Sequence, residues 1–560
     1  MNPPNLLFII CDDLAYGDLS MHGNPICRTP HLDGIAREGV SAQRHLSGPL
    51  CSPARACILT GRYNYRSRVV DTYCGRSIMD TAEVTLADHL RAVGYRTGCF
   101  GKWHLGDTYP FRPEDRGFDE TVWHLGGGIG QPGDHPGNFG RESYFDPVLC
   151  RDGQFEKLEG YCTDIFTSEA IGFIRRNKGR PWFAHVAFNA PHGPLQVDPA
   201  SASALAARGA TGDLPAFYAM VENIDANVGR LLSALDAEGL RDDTVVVFTS
   251  DHGPCPSVCD GGGSPPFNAG LRGQKGSVYE GGVRVPCLWQ GPGLSRGSVV
   301  SEPTHAIDIL PTFLALAGQA VRPATTSDAP GVTQSEPLLD LSGLDGRSIL
   351  PLLDATCPAG EWPDRPLFLQ WHRGDEPVPF RNAMVVTRHR KWISVSAAGP
   401  EELYDVVRDP GEKHNLAEEE PEQTARLRAA YQEWFRDVSG NHRFDPVPIP
   451  VAAAGLPLRL TRQDWRVCGE DGWSPQTKAK WVLAVEEAGT YEVRIQFDTA
   501  PGAQGCVFLR VGDVSAVMPA VAGVTDYRFT LRLLPGPAEL RAGWQTLYHE
   551  GSPFAVEIDR

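Results

Sequence analysis

Short, uninterrupted apolar runs recur through the first half of the chain, and each one stops at a cluster of polar residues. The runs cover residues 6–11, 95–100, 182–188 and 244–249. Uninterrupted apolar runs of this length are typical of strands that are buried on both faces of a parallel sheet. Between the runs lie stretches with helical periodicity, at residues 86–93, 168–177 and 218–235. The alternation predicts an α/β fold in which helices flank a large, mostly parallel sheet.

The polar residues that follow these four runs are candidates for one shared site. They are Asp12, Asp13, Lys102, His104, His192, Asp251 and His252. Open α/β sheets bind ligands beyond the carboxyl ends of their strands, where these residues are expected to meet. Taken singly, an aspartate after a strand is more often a turn former, and a lone histidine is more often a half-buried structural residue. Polar groups at four strand ends together favour a functional site.

Three of these residues, Asp12, Asp13 and Asp251, are carboxylates expected at two of the strand ends. Neighbouring carboxylates repel one another unless a cation lies between them. Oxygen ligands favour a hard divalent ion, calcium or magnesium, over zinc. The sequence therefore predicts a divalent-cation site.

The hydrophobic pattern changes twice in the second half of the chain. Strand-like runs at 366–370, 383–387 and 391–395 and a helix from about 420 to 438 predict a small α+β subdomain. After a proline-rich linker, strict alternation at 481–485, 490–495 and 529–533 predicts an antiparallel β-sandwich. We therefore expect a large α/β domain at 1–340 that ends in a surface loop (321–340), the α+β subdomain at 341–440 and the accessory sandwich at 441–560.

Three tryptophans of this last part, Trp465, Trp473 and Trp544, allow more than one interpretation. Sandwich modules attached to enzymes often bind carbohydrate through stacked aromatic rings. Burial in the core or at an interdomain contact is the interpretation we favour, because a large aromatic side chain stabilises a core strongly. A third interpretation places them at the interface of a homo-oligomer.

Composition and charge exclude several classes of partner. The 560 residues carry a formal net charge of −17, which argues against nucleic acid and against anionic membranes. The sequence shows neither a basic leader segment nor an apolar run of membrane-spanning length. We expect a cytoplasmic protein, or a periplasmic or secreted one if a leader was removed. The 14 cysteines include no CxxC pair, which fits buried thiols in a reducing compartment.

The segment that starts at Cys51 carries the most specific signal. It reads Cys51-Ser52-Pro53-Ala54-Arg55 and continues through Leu59-Thr60-Gly61 to Arg62. As a structural element it is a cysteine before a short helix, with Ser52 as the helix cap and Pro53 at the first helical position. As chemistry, it resembles the signature C-x-P-S/A-R, with its trailing L-T-G-R, of the type I, arylsulfatase-like sulfatases of the alkaline phosphatase superfamily. Because the match extends over the whole segment, we favour the second interpretation.

This resemblance implies an alkaline-phosphatase-like fold and a particular nucleophile. In the family, a formylglycine-generating enzyme oxidises the signature cysteine, here Cys51, to an aldehyde whose hydrate attacks sulfur. The resemblance also implies one calcium ion, with magnesium as the alternative, held by Asp12, Asp13, Asp251 and the formylglycine. The residue after the last aspartate is also a ligand in the family and is commonly asparagine, whereas this chain has His252.

The remaining roles are also implied by the resemblance. Arg55 is expected to hold the formylglycine and to neutralise charge. Lys102 and His104 belong beside the nucleophile, with His104 as the base that breaks the hemiacetal down. His192 is expected to contact the sulfate and the leaving oxygen. Lys275, in Gly-Gln-Lys-Gly-Ser-Val-Tyr-Glu-Gly-Gly, completes the cluster and can share the general-acid role.

Together these features predict a sulfatase that hydrolyses a sulfate monoester of a carbohydrate or an aryl alcohol. One alternative is a formylglycine-dependent phosphodiesterase or phosphonate monoester hydrolase of the same superfamily. The other is a carbohydrate-binding protein whose catalytic domain is inactive.

Overall fold

The computed structural model describes residues 3–140, 142–255, 265–319, 341, 343–358, 360–440, 444–469, 472, 474–502, 504–546 and 549–560. The predicted loop at 321–340 and Trp473 lie outside the described residues. The centre of the molecule is a ten-stranded sheet. Its strands, in chain order, are β1 (Asn5–Cys11), β2 (Val40–Ala42), β3 (Arg96–Lys102), β4 (Glu120–His124), β5 (Val148–Arg151), β6 (Gln154–Lys157), β7 (Trp182–Ala187), β8 (Thr244–Ser250), β9 (Cys287–Gln290) and β10 (Ser298–Val300).

The four strands predicted from the apolar runs, β1, β3, β7 and β8, are confirmed. The spatial order of the sheet is β10-β2-β9-β8-β1-β7-β3-β4-β5-β6, so these four are consecutive neighbours. The pairs between β8, β1, β7, β3 and β4 are parallel. Antiparallel pairs join β8 to β9, β9 to β2, β4 to β5 and β5 to β6. The sheet is therefore mixed, with a parallel centre.

Helices cover both faces of this sheet. The α-helices among the described part of the first 320 residues are α1 (Pro30–Glu38), α2 (Cys51–Thr60), α3 (Leu86–Ala92), α4 (Cys162–Asn177), α5 (Pro199–Ala207), α6 (Leu214–Ala237), α7 (Glu280–Val283) and α8 (Ile309–Leu316). Alternate residues of β1 belong to two separate hydrophobic clusters: Leu6 and Phe8 lie in one, Leu7 and Ile9 in the other. Because both faces of the strand are buried, its sequence is apolar throughout instead of alternating.

A second, smaller sheet follows. Helix α9 (Leu350–Leu353) leads to four antiparallel strands, β11 (Leu367–Gln370), β12 (Ala383–Val386), β13 (Arg390–Ser394) and β14 (Glu401–Asp405), paired in that order. Helix α10 (Pro421–Ser439) packs its apolar side against the large cluster that also contains Trp392 of β13. This sheet therefore shares a continuous hydrophobic core with one face of the central sheet.

The chain from Ile449 to Asp559 forms two further sheets. Their strands are β15 (Ile449–Val451), β16 (Leu458–Thr461), β17 (Arg466–Val467), β18 (Ala479–Val485), β19 (Gly489–Gln496), β20 (Cys506–Val511), β21 (Val514–Pro519), β22 (Asp526–Leu533), β23 (Gly536–Gln545), β24 (Glu550–Gly551) and β25 (Ala555–Asp559). The inward residues of both sheets form one core, which also includes Cys74, Ile78 and Phe111 from the first part of the chain. Among the described helices, none has the length and apolar character needed to cross a bilayer.

Candidate active site

Cys51 is the first residue of helix α2 and follows an extended Leu50. Its Sγ lies 3.0 Å from Nε2 of His252 and 3.5 Å from Oδ1 of Asp12. The expectation that Ser52 caps the helix with Pro53 at its first position is wrong, because α2 starts two residues earlier, at Cys51, and has no side-chain cap. The Ser52 hydroxyl instead donates to the carbonyl of His104 at 2.9 Å. The start of α2 is therefore held against the residues that follow β1, β3 and β8.

The carboxylates meet because of the strand register. Strands β1 and β8 pair in parallel with Cys11 opposite Ser250, so the residues that follow them emerge side by side. Nε2 of His252 lies 3.3 Å from Oδ1 of Asp251 and 3.5 Å from Oδ1 of Asp12. Nδ1 of the same ring lies 3.4 Å from Oδ1 of Asp13. Burial disfavours the charged ring, but Asp251 and Cys51 together outweigh burial and raise the pKa of His252 to about 9.

This cluster suits a divalent cation. One ligand atom from each of Asp12, Cys51, Asp251 and His252 lies within 4.8 Å of all the others. Oδ2 of Asp13 and Oδ1 of Asp251 are buried and accept no hydrogen bond from the protein. Buried carboxylate oxygens need a positive partner, and hard oxygen donors prefer calcium or magnesium. The residues present therefore fit the ion that the sequence predicts.

Three cationic side chains surround the carboxylates: Arg55, Lys102 and Lys275. Nη2 and Nε of Arg55 donate to Oδ2 of Asp251 at 2.9 Å and 3.1 Å, and its Nη1 donates to the carbonyl of Lys102 at 3.0 Å. The Lys102 ammonium contacts the Asp12 carboxylate. Burial would raise the pKa of Asp12, but Lys102 and other cations hold it well below its usual range. In a chain of charge −17, this is a local concentration of positive charge.

The site opens to solvent beside His192 and Lys275. Their side chains are 11% and 14% exposed, whereas those of Asp12, Asp13 and Lys102 are fully buried. Nε2 of His192 lies 3.8 Å from Oδ2 of Asp13, and Nζ of Lys275 donates to Oδ1 of Asp13 at 2.7 Å. These two side chains are therefore the ones that an entering substrate meets first.

His104 is fixed by a backbone carbonyl. Its Nε2 lies 2.6 Å from the carbonyl oxygen of Thr72, which can only accept a hydrogen bond, so Nε2 carries the proton. Nδ1 is therefore the nitrogen with the lone pair, and it is buried without a hydrogen-bond partner in the protein. Burial, reinforced by Lys102, lowers the pKa of His104 well below its usual value. The ring is a neutral imidazole with one unused basic nitrogen.

Sequence reasoning missed several residues that shape this site. A Cβ on Gly127 would lie 2.7 Å from Nε2 of His104, and one on Gly128 would lie 3.1 Å from Cε1 of His192. The two glycines therefore leave the space that the imidazoles occupy. The run Gly126-Gly127-Gly128 is visible in the sequence, but only the fold reveals which rings it contacts. Thr72 carries no motif at all.

The two described aromatic candidates of the last part, Trp465 and Trp544, belong to its own core and not to this cluster. Trp465 is fully buried and packs on Trp481, with ring centroids 6.0 Å apart, so the favoured interpretation, a core residue, is confirmed. Trp544 is partly buried and packs against the same core.

Comparisons with known proteins agree with this geometry. The family model described as Sulfatase matches residues 4–319, more than half of the chain. The chain belongs to the sulfatase family. It is 32% identical over 526 residues to a steryl-sulfatase of Mus musculus, with 74% of this chain and 79% of that protein covered. This sulfatase is accordingly a sulfuric ester hydrolase.

Solved structures give the same fold. A crystal structure of Ps i-CgsB in complex with k-i-k-neocarrahexaose is 29% identical, with a TM-score of 0.66, and covers 78% of this sulfatase and 94% of that chain. The phosphonate monoester hydrolase of Agrobacterium radiobacter is 24% identical, with a TM-score of 0.52, and covers 78% and 95%. The α/β fold predicted from the sequence is therefore the sulfatase and alkaline-phosphatase-like fold, with a mixed sheet and flanking helices.

Proposed function

We propose that this sulfatase hydrolyses a sulfate monoester of a carbohydrate or an aryl alcohol, through a formylglycine derived from Cys51 and a calcium ion. The observation that carries the proposal is the position of the Cys51 Sγ, 3.0 Å from His252 and 3.5 Å from Asp12. Among the described residues, Cys51 is the only cysteine in the cluster of potential metal ligands around Asp12. The carbohydrate class is supported by the likeness to Ps i-CgsB, which was solved with a neocarrahexaose.

The formylglycine and the calcium ion would supply distinct chemistry. A hydrated aldehyde at position 51 would supply a nucleophilic hydroxyl and a second hydroxyl on the same carbon. A calcium ion held by Asp12, Asp13, Asp251, His252 and residue 51 would supply positive charge for the sulfate oxygens.

The residues of the chain bind and orient the sulfate. Arg55, Lys102 and Lys275 supply fixed positive charge in a water-poor pocket, where charge stabilisation is strongest. The first amides of α2 point the same way and add the favourable field of a helix N-terminus. An anion that enters past Lys275 would therefore meet the cations that flank the carboxylates.

Lys275 and His104 are the groups that we assign to proton transfer. Lys275 lies at the mouth and carries protons on Nζ, so it is placed to protonate the leaving oxygen as the alcohol departs, with His192 beside it to contact the same oxygen. His104 holds a lone pair on Nδ1, because the Thr72 carbonyl fixes its proton on Nε2. We assign to that nitrogen the role of the base that would accept a proton from a hydroxyl at position 51.

Mass spectrometry of the peptide from Cys51 to Arg62 tests the nucleophile, in protein from a host that contains a formylglycine-generating enzyme. We expect the aldehyde or its hydrate at position 51 and turnover of an aryl sulfate. Cys51→Ala should abolish turnover, whereas Cys468→Ser, at an exposed cysteine, should leave it unchanged. An unmodified thiol in active protein contradicts the mechanism, and an aldehyde without turnover favours a carbohydrate-binding protein.

Matched aryl substrates separate the two hydrolase classes. Sulfate, phosphodiester and phosphonate monoester with the same leaving group are compared by kcat/KM. We expect the sulfate ester to be preferred. A preference for the phosphorus esters would move the protein to the alternative, a formylglycine-dependent phosphodiesterase or phosphonate monoester hydrolase.

We also propose the division into a catalytic domain (1–340), its α+β subdomain (341–440) and an accessory β-sandwich (441–560). The antiparallel sheet β11 to β14 and the two sheets that share one core after Ile449 support it. A reducing, cytoplasmic location is supported by the burial of most described cysteines.

A further inference from the structure

We propose that Tyr73, Trp371 and Arg373 form a recognition site for an anionic group, a carboxylate or a second sulfate, on the sugar next to the sulfate ester. The inference rests on the proposed function, because it concerns the substrate of the same pocket. Trp371 and Arg373 come from the segment between β11 and β12, and Tyr73 comes from the segment after α2. None of the three belongs to a sequence motif.

The site adjoins the mouth of the pocket on the side of Lys275. A Cβ on Gly276, the residue after Lys275, would lie 3.3 Å from Cζ3 of Trp371. Nδ2 of Asn382 donates to the carbonyl of Gly276 at 2.8 Å and to the carbonyl of Trp371 at 2.7 Å. The Asn382 side chain thus links Trp371 to the segment that carries Lys275.

Asp71 connects the same recognition site to the His104 side of the pocket. Nε1 of Trp371 donates to Oδ1 of Asp71 at 3.2 Å, and Nη1 of Arg373 donates to the two oxygens of Asp71 at 2.8 Å and 3.0 Å. The next residue, Thr72, has its Cα about 3.8 Å from that of Asp71, and its carbonyl holds His104. The recognition site therefore borders the pocket on both the Lys275 side and the His104 side.

Arg373 is held in one position although it is 43% exposed. Its guanidinium carbon lies 4.4 Å from the ring centroid of Tyr73 and 5.3 Å from that of Trp371, and Asp71 below it is fully buried. An exposed arginine normally loses rotamer entropy when it is ordered and gains little stability in return. An arginine ordered by two rings and a buried carboxylate, yet open to solvent, is organised for a ligand.

The charge of the site favours an anion. Arg76 lies 3.7 Å from Asp71 and donates from Nε to Asp375 at 2.8 Å, and Arg466 also donates to Asp375 at 2.8 Å. With Arg373, three guanidinium groups lie close together at this site in a chain of charge −17. A guanidinium presents paired donors that match carboxylate and sulfate, and the neighbouring rings offer apolar faces to a sugar.

The test compares Arg373→Gln with Arg408→Gln, a control at an exposed arginine on the turn after β14. The substrates are p-nitrophenyl sulfate and sulfated disaccharides whose second sugar is neutral, carries a carboxylate or carries a second sulfate. For Arg373→Gln we expect KM to rise about 10- to 100-fold on the disaccharides with an anionic second sugar. On the aryl sulfate and the neutral disaccharide we expect changes within about twofold, and none for Arg408→Gln. Of the two anionic disaccharides, the one whose KM rises more in Arg373→Gln identifies carboxylate or sulfate as the preferred anion.

If Arg373→Gln raises KM equally for all four substrates, or for none of them, the inference is overturned. Because removal of Arg373 leaves the buried Asp71 with less compensation, Arg373→Lys and the salt dependence of KM in the unaltered enzyme serve as second measurements. Arg373→Lys should keep part of the preference, and KM for the anionic disaccharides should rise more steeply with salt than KM for the neutral one. Identical salt dependences would also overturn it. A wild-type enzyme that turns over no sulfate ester refutes the proposed function itself, which is a separate outcome.

Discussion

Substitution of Gln463 by methionine tests whether the chain beyond residue 440 supports catalysis. Gln463 is buried, and its Nε2 donates to the carbonyl of Thr72 at 2.7 Å and to the hydroxyl of Ser77 at 2.9 Å. That carbonyl is the one that holds Nε2 of His104 at 2.6 Å. Methionine has a similar length and volume but no donor, so the change removes the two hydrogen bonds and leaves little cavity.

The size of the effect follows from the hydrogen bonds lost. A buried neutral hydrogen bond contributes about 1 kcal/mol, so the two together are worth about 2 kcal/mol of folding stability. Only the bond to Thr72 acts on His104, and about 1 kcal/mol in the barrier corresponds to roughly a fivefold lower kcat. Gln463 is too deeply buried to touch a substrate, so KM should not change.

Steady-state kinetics on an aryl sulfate, together with thermal unfolding, measure both effects. The control is Gln545→Met, at an exposed glutamine on the strand Gly536–Gln545, which should match the unaltered enzyme in kcat, KM and Tm. The reasoning is refuted if Gln463→Met lowers Tm but leaves kcat unchanged, because the residue is then structural only. It is equally refuted by a rise in KM at constant kcat.

Three further predictions concern the ion and the two cores. Adding calcium to chelated protein should raise Tm, because Oδ2 of Asp13 gains a partner in the folded state only; Asp13→Asn should reduce the rise, and an unchanged Tm contradicts the site. Burial raises the pKa of Glu412 from an ordinary 4.5 to about 7. The carboxylate of Glu412 lies 2.9 Å from Nζ of the buried Lys391. A raised pKa in the folded state means that its contribution to stability is complete below pH 4.5 and is lost as the pH rises through 7. Between pH 5 and pH 8, the free energy of urea unfolding of Glu412→Gln should therefore rise by about 3 kcal/mol relative to that of the unaltered protein. Unfolding free energies that change in parallel with pH in the two proteins contradict this. Trp465→Ala should cost about 3–5 kcal/mol by urea or thermal unfolding, more than the partly buried Trp544→Ala, and equal Tm values would show that Trp465 is not a core residue.

The fold could be predicted where one interaction dominated the sequence. Residues on β1 face two separate hydrophobic clusters, so burial alone fixes their apolar character and the run of residues identifies the strand. The short strands at one end of the sheet could not be predicted: β2 and β10 have three residues each, too few to show a period. Their place in the sheet depends on partners that are distant in sequence.

The candidate site could be predicted only where a side chain has its own chemistry. Asp12 and Asp251 follow strong strand patterns, and the register of β1 with β8 brings their ends together. Thr72 acts through its backbone carbonyl, which any residue possesses, so no pattern of residue types reveals it. Gln463 lies nearly 400 positions further along the chain from Thr72, and only the packed structure brings the two together.

The segment from Asp71 to Ser77 explains why the three parts of the chain are not independent. Its Thr72 carbonyl fixes the proton of His104, its Asp71 carboxylate orients Arg373 from the small antiparallel sheet, and Gln463 from the last part donates to it. Because one short loop receives all three contacts, we expect a displacement at any of them to move the other two. We therefore expect the sheets after Ile449 to support the pocket, with the proposed sugar-binding side and proton-transfer side resting on the same loop.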